Sequence, residues 1–418
     1  MDVECIRLEL TNYCNLKCPY CFFCDLRSDN IRDEMSLSDF KEILEYARDS
    51  GLRTVFLQGG EPLVHSGIVK ILRFLRKRGY EIVAFTNALF DHRLLKELKA
   101  VGIGGFLINY NHPETYGSSR TLDLVKKNIR GLRQLNLPMK LGYTLYEKTP
   151  RYQYFLNGIK EFKARRVRWD IARPSGGMNN KYIGMQDVLA YSGTVARFLK
   201  DCLSSGALPQ YDCPLPLCFT LKGDFNFMRK YLFIPESLCN TVLNIGPGLR
   251  LSTCPASVQT KDISLRHFMN LGLALEFIRK MEDDLRWRVP TFKECGRCFY
   301  WHNRLCQGGC IGYKRERDNK VLGRDDLKDF LKRSGENIRN RAVKNIVLKK
   351  RNKSAFELFR IGVALAYARR LQEAVSVFMM IDKRRLVREE QKYIDSFLVS
   401  FLHGQAKDKS RIWKRQYT

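Results

Sequence analysis

The residues with the clearest chemical potential in this 418-residue chain are three cysteines, Cys14, Cys18 and Cys21, at C-x3-C-x2-C spacing. They follow directly on the short apolar run Ile6 to Leu10. Thiolates this close suit a soft metal or an iron–sulfur cluster. Spacing alone leaves two chemistries open. A structural zinc site needs a fourth ligand, and Cys24 stands just beyond to supply one. A [4Fe–4S] cluster on three thiolates leaves one iron free for a substrate or cofactor. A second pattern follows the next strand-like run, Thr54 to Gln58, which ends in Gly59-Gly60-Glu61-Pro62.

Loops of this kind need a scaffold, and residues 1 to about 180 provide alternating strand and helix patterns. Ile6–Thr11 reads as the first strand. Ser36 to Asp39 reads as a capping box opening a helix with Phe40, Ile43, Leu44 and Ala47 on one face, ended by Gly51. Thr54–Gln58, Glu81–Phe85, Phe106–Ile108, Lys140–Leu145 and Arg168–Ala172 read as five further strands. Helices are expected over Ser66–Arg78, after Asp91 and over Thr121–Gln134. The strands are apolar throughout, as in a parallel sheet covered by helices. The cysteine loop, GGEP, Thr86-Asn87, Asn109 and Arg173 all lie just past the carboxyl end of a strand. Ligands bind at that end of parallel sheets and barrels.

The cysteine loop and GGEP, in this order and each after a strand, resemble the radical S-adenosylmethionine (radical SAM) enzymes. The resemblance implies a partial (β/α)6 barrel. It implies that Cys14, Cys18 and Cys21 ligate a [4Fe–4S] cluster that binds S-adenosylmethionine. It places Tyr20 by the adenine and gives the methionine amino group to Gly59, Gly60 and Glu61. Asn109 or Asn111 would reach the ribose, although many relatives carry Ser-x-Asp here. Arg173 would pair with the carboxylate. Thr86-Asn87-Ala88 stands where relatives often have Thr-Asn-Gly.

A second cysteine field follows. Cys213 and Cys218 flank a proline-stiffened turn. Cys239 and Cys254 flank a hairpin pattern around Gly246-Pro247-Gly248. Cys295-x2-Cys298-x7-Cys306-x3-Cys310 completes the field. This resembles the SPASM extension of radical SAM enzymes, whose auxiliary [4Fe–4S] clusters use C-x2-C-x5-C-x3-C and a further cysteine. Here the middle gap is longer and no cysteine follows Cys310. The resemblance implies one cluster on Cys239, Cys254 and Cys310 with Cys213 or Cys218. A second would use Cys295, Cys298 and Cys306, its fourth ligand being the spare cysteine of the 213/218 pair, His302 or a substrate atom. Zinc on Cys295, Cys298, Cys306 and Cys310 is the structural alternative. Cys5, Cys24 and Cys202 have no cluster assigned. Each reads either as a small apolar residue or as a hydrogen-atom donor.

The resulting division is a barrel over 1–185, a connecting region over 186–238, a SPASM-like region over 239–312 and a basic helical extension over 313–418. Within the extension, residues 354–404 have a helical pattern. Ile361, Gly362, Ala366, Ala374 and Phe378 fit either a plain extension or one tetratricopeptide-like unit. The net charge is +29, and Tyr313 to Thr418 carry 28 Lys+Arg against 13 Asp+Glu, about half of the excess. Such a surface suits nucleic acid, an anionic membrane surface or an acidic peptide, or is simply a solvated face. Fourteen cysteines in tight groups read as metal binding in a cytoplasmic chain. No apolar run is long enough to span a membrane, and no secretory signal pattern opens the chain. Because SPASM relatives mostly modify peptides, the expected activity is reductive cleavage of SAM and hydrogen abstraction from a peptide or protein side chain. Nucleic-acid or tRNA modification and a non-catalytic iron–sulfur scaffold are the alternatives. The implied partners are that substrate and an external electron donor such as a flavodoxin or ferredoxin.

Overall fold

The computed structural model describes residues 3–27, 33–47, 50–222, 238–252, 259–260, 263–316 and 321–322, and the single positions 227, 254, 378, 391, 394 and 395. Residues 1–327, with Thr418, form one compact unit and Lys328–Tyr417 a second. In the second, Phe378 and Ile394 are buried. The tetratricopeptide-like reading of the extension otherwise falls outside the described residues.

The first unit is built on one open, twisted sheet. Its strands are β1 (Cys5–Glu9), β2 (Thr54–Gln58), β3 (Glu81–Thr86), β4 (Gly105–Asn109), β5 (Met139–Leu145), β6 (Arg166–Ile171), β7 (Leu208–Tyr211), β8 (Leu243–Ile245) and β9 (Leu251–Ser252). They lie in the order β7-β6-β5-β4-β3-β2-β1-β8-β9. Every pairing from β7 to β8 is parallel, and β9 returns antiparallel to β8. Helices α1 (Leu37–Tyr46), α2 (Ile68–Lys77), α3 (Leu94–Val101), α4 (Ser119–Gln134), α5 (Gln153–Glu161), α6 (Met185–Val188) and α7 (Ser192–Ser204) connect the first seven strands. This is an open parallel α/β sheet of the partial-barrel kind, as expected.

Local chemistry explains the elements. Ser36 caps α1 by accepting from Asp39 N, while the Asp39 carboxylate accepts from Ser36 N, a reciprocal capping box. Phe40, Ile43 and Leu44 then face the sheet. On α2, Ile68, Ile71, Leu72 and Leu75 bury one stripe at helical spacing. Strand residues alternate between two faces. Trp169 points to the helix layer, where its ring meets Phe198 of α7 at 6.4 Å. Its neighbours Arg168 and Asp170 therefore point to the inner face. The parallel register carries this face across the sheet through Gly142, Leu107 and Asn109, Val83, Phe56 and Arg7.

Two features differ from the expectation. The region read as a connection over 186–238 supplies β7, which pairs with β6 from Arg166↔Leu208 to Trp169↔Tyr211. Helices α6 and α7 precede this strand. The hairpin pattern around Gly246 is real, with Asn244↔Ser252 and Ile245↔Leu251 paired. Rather than standing apart, it extends the barrel sheet, because β8 runs parallel to β1 with Ile6↔Leu243 and Leu8↔Ile245. Beyond it lie α8 (Leu217–Lys222), which precedes the hairpin in the chain, α9 (Leu271–Arg288) and the short α10 (Phe299–His302). Among the described residues no helix is long and apolar enough to cross a membrane.

Candidate metal and cofactor site

The cysteine loop leaves the end of β1 and is held there by the GGEP turn at the end of β2. Gly60 N donates to Thr11 O at 2.7 Å and Glu61 N to Tyr13 O at 2.9 Å. This close approach explains the glycines. A Cβ on Gly60 would lie 1.9 Å from Tyr13 O, and Gly59 has φ +125° with its Cβ position 2.5 Å from Thr11 O. The Glu61 carboxylate is 1 % exposed. It accepts from Thr86 Oγ1 (2.7 Å), Asn87 N (2.7 Å) and Leu63 N (3.1 Å). Burial pushes its carboxyl up to about 7 against the pull of those donors. Glu61 therefore ties the ends of β2 and β3 together. From β3, Asn87 Nδ2 reaches Asn15 Oδ1 at 2.9 Å and Cys14 Sγ at 3.9 Å. Ala88 holds φ 59°, the left-handed conformation that explains why a glycine is common at this position in relatives.

The three cysteines are half-buried at the end of β1. Burial pushes Cys14 and Cys18 up to about 12 and raises Cys21, and neighbouring thiols of the set add to the rise for Cys14 and Cys18. Such a set ionises together only around a cation, which fits an iron–sulfur cluster. Cys24 Sγ has partners of its own, lying 3.3 Å from Ser175 Oγ and 3.6 Å from Asp25 Oδ1, and it adds to the rise of Cys21.

Of the two asparagines, Asn111 is fully buried and spends its amide on the Thr144 backbone of β5, donating to O at 3.0 Å and accepting from N at 3.4 Å. Asn109 donates to Tyr20 OH at 3.2 Å, and its buried Oδ1 has no partner. That orphaned acceptor beside Tyr20, one residue before Cys21, suits a donor on a bound cofactor. The Tyr20 ring packs on Tyr146 at 4.9 Å. Arg173 differs from the expectation. Its guanidinium, 2 % exposed, holds Asp170 through two nitrogens and reaches Tyr211 OH at 3.3 Å. The carboxylate it meets is one of the chain's own.

The inner face of the sheet is polar and basic. Arg7, Lys140, Arg166 and Arg168 stand with Glu9, Glu81 and Asp170. Lys140 Nζ donates to Gln210 Oε1 at 2.6 Å, and Arg168 pairs with Asp212. Burial opposes the Asp212 carboxylate, but Arg168, Arg7 and Arg173 hold it down to about 2. Asp170, Asp212 and Cys213 lie close enough to share a cation, with ligand atoms within 4.8 Å of one another. Arg168 and Arg173 already neutralise that group.

The second cysteine field falls into two neighbourhoods of thiols. Cys218 lies among Cys295, Cys298 and Cys306, and burial together with those thiols pushes it up to about 12. Leu217 N donates to Cys306 Sγ at 3.5 Å, fixing that approach. Cys239 lies with Cys254 and Cys310, and Cys213 with Cys310. Cys213 and Cys218 thus have different thiol neighbours. His302 is not drawn in, since its Nε2 meets Gly296 O at 2.7 Å within its own loop. Cys310 has Cys213 and Cys239 as thiol neighbours. Cys202 is a buried core residue of α7. Sequence reasoning missed Lys314, which is fully buried. It donates to Val289 O at 2.8 Å and lies 4.0 Å above the Trp301 ring. Burial brings it down to about 7, while Cys295, Cys306 and Cys310 pull it back.

Comparison with known proteins agrees with this geometry. Residues 8–165 match the radical SAM superfamily. GTP 3′,8-cyclase of Heliobacterium modesticaldum is 37 % identical over 105 residues, 24 % of this chain and 32 % of that protein. A probable GTP 3′,8-cyclase of Methanothermobacter marburgensis is 31 % identical over 148 residues, 34 % of this chain and 48 % of that protein. The chain thus spans a third to a half of the length of these curated relatives. Among solved structures, S-adenosylmethionine-bound SuiB of Streptococcus suis superimposes with TM-score 0.55 at 16 % identity, covering 77 % of this chain and 76 % of that one. AdoMet-bound anSMEcpe gives 0.54 at 16 % identity, covering 80 % and 98 %. Likeness at this identity shows the fold alone. The expected peptide or protein substrate is corrected by the curated relatives, which are named for GTP; neither peptide, nucleic acid nor scaffold appears in their names. The matched segment and the parallel strands agree in one finding: residues 8–165 of this chain match the radical SAM superfamily.

Proposed function

We propose that this chain is a radical SAM enzyme acting on a nucleoside triphosphate, with GTP the first candidate. Cys14, Cys18 and Cys21 hold the [4Fe–4S] cluster that binds S-adenosylmethionine. When bound, these groups supply an electron and a 5′-deoxyadenosyl radical that takes a hydrogen atom from the substrate. The GGE turn presents the methionine end, Tyr20 packs beside the adenine, and the orphaned Oδ1 of Asn109 accepts from the ribose. The observation that carries the substrate reading is the naming of the curated relatives for GTP. The basic side chains of the inner face, Arg7, Lys140, Arg166 and Arg168, suit an anion at that face, where Glu9, Glu81, Asp170 and Asp212 stand with them. The two thiol neighbourhoods fit auxiliary [4Fe–4S] clusters of the SPASM kind. The electron is expected from an external donor such as a flavodoxin or ferredoxin.

Anaerobic incubation of the reconstituted protein with S-adenosylmethionine and dithionite tests this. 5′-Deoxyadenosine should form, and GTP should raise its yield with a guanosine-derived product appearing alongside. Cleavage that no nucleotide stimulates would sink the substrate reading alone. Absence of any cleavage would sink the enzymatic one.

A further inference from the structure

The cysteine loop after β1 is tied to the loop that follows β6. Lys181 N donates to Pro19 O at 2.6 Å, and Asn180 Nδ2 to Tyr20 O at 3.2 Å. Asp25 Oδ2 accepts from Gly177 N and its Oδ1 from Asn179 Nδ2, each at 2.6 Å. Cys24 Sγ lies 3.3 Å from Ser175 Oγ. These contacts join residues 17–27 and 175–181 into one face, with half-buried Cys18 and Cys21 within it.

The face carries apolar side chains in the open. Leu26 is 50 % exposed and Met178 37 %. Met178 holds φ 60°, a left-handed conformation that a long side chain rarely adopts. The Asp25 contacts to its neighbours Gly177 and Asn179 fix that conformation. Exposed apolar groups rimmed by polar ones mark interaction sites, and methionine adapts well to a partner surface. The charge is one-sided. The two stretches carry Lys17, Arg27 and Lys181 against a single carboxylate, Asp25. Asp25 is spent on the tie itself, and Arg27 Nη1 donates to Leu16 O at 3.2 Å. Lys17 and Lys181 are exposed.

We propose that an acidic one-electron carrier protein docks on this face, with Leu26 and Met178 at its apolar centre and Lys17 and Lys181 on its basic rim. Redox encounters of this kind bury little area and draw their encounter rate from charge. The carrier gives up one electron to the cluster and returns to its oxidised form, and no covalent bond changes at the face. The inference rests on the reading that Cys14, Cys18 and Cys21 hold a redox cluster, and it adds where the electron donor lands.

Anaerobic calorimetry of the reconstituted full-length protein tests it, with an acidic flavodoxin and an acidic ferredoxin as probes. Reduction of the cluster by each reduced carrier is followed by electron paramagnetic resonance. Lys17→Glu/Lys181→Glu should weaken binding by about tenfold or more and slow reduction to match. Leu26→Ser/Met178→Ser should weaken it by a smaller factor. Salt should weaken native binding more than binding to the Glu variant. Dithionite, too small to need the face, should give the native yield of 5′-deoxyadenosine in every variant. Lys99→Glu/Lys160→Glu makes the same charge change on exposed positions of α3 and α5 and should change binding far less. An equal loss in that control overturns the inference, since the attraction would then belong to the net charge of +29 and not to the face. Unchanged binding in Lys17→Glu/Lys181→Glu overturns it, as does a native protein that binds neither carrier. Iron content checks loading. If Lys17→Glu does not load, Lys181→Glu/Met178→Ser carries the test by the same criteria. If dithionite yields no 5′-deoxyadenosine in the native protein, the enzymatic reading fails, and carrier binding alone decides the face.

Discussion

The two cysteine regions of this protein solve opposite problems. The first places three thiols on eight consecutive residues, from Cys14 to Cys21, and turns the nearest further cysteine, Cys24, toward Ser175. The second spreads eight thiols from Cys213 to Cys310 over two neighbourhoods, one around Cys218 and one around Cys310. A set of four closes the coordination of a metal group, whereas a set of three leaves a position for chemistry. The surroundings follow the same division. The open set lies beside an orphaned acceptor, Asn109 Oδ1. The closed sets are bounded by Arg173, paired with Asp170, and by Lys314, seated on backbone carbonyls. Reactivity in this fold is decided by what is left unpaired at the strand ends.

The sharpest way to break the comparison is to remove the open set. Replacing Cys14, Cys18 and Cys21 together by alanine should bring 5′-deoxyadenosine formation to background while iron in the second field persists. Cleavage that survives would falsify the assignment of the first loop.

The next effect concerns the division of the paired cysteines. Cys218→Ala and Cys213→Ala should each lose about four iron atoms per chain, from different clusters. A Cys218→Ala/Cys295→Ala double variant should lose no more than either single one, whereas Cys213→Ala/Cys295→Ala should lose both. If the first double variant loses twice as much, Cys218 belongs with the other set. Iron that saturates near four per chain in the native protein, accompanied by zinc, would make the second field structural.

A smaller effect separates the two asparagines. Asn109→Ala should weaken S-adenosylmethionine binding by about tenfold, ~1.4 kcal/mol, with the melting temperature nearly unchanged. Asn111→Ala should do the reverse, because its amide bridges β4 to β5 and its loss leaves backbone groups of Thr144 unsatisfied. Equal affinity losses in both would remove the distinction between them.

The smallest expected effect lies on the inner face. Burial brings Lys140 down from the usual 10.5 to about 8. Its folded-state value is below its unfolded one, so the charged form costs stability fully below about pH 8, and the cost fades as pH rises to 10.5. Lys140→Met should therefore be more stable than the native protein by about 1–2 kcal/mol near pH 7, allowing for the lost Gln210 contact. Denaturant titrations at several pH values should show that advantage shrinking between pH 8 and 10.5. An advantage that grows with pH would contradict the direction of the shift.

Much of the barrel was legible because its signals are local. Strands β2 to β5 are mostly apolar runs closed by polar loop residues, and the capping box at Ser36 and the glycine stops need only neighbours in sequence. The loop of Cys14, Cys18 and Cys21 was legible for the same reason, since eight residues alone bring its thiols together. Strand β7 was not. Leu208-Pro209-Gln210-Tyr211 contains a proline and no alternating run, and only an edge position beside β6 makes it a strand. The same limit applies to Arg173, whose partner Asp170 is set by the inner face of β6, and to the choice of Asn109 over Asn111. The pairing of Cys218 with Cys295, Cys298 and Cys306 joins parts of the chain far apart in sequence. Sequence alone determined which residues could ligate or bind. Tertiary structure decided which thiols share a set and which polar groups remain unpaired, because both depend on where packing brings distant backbone.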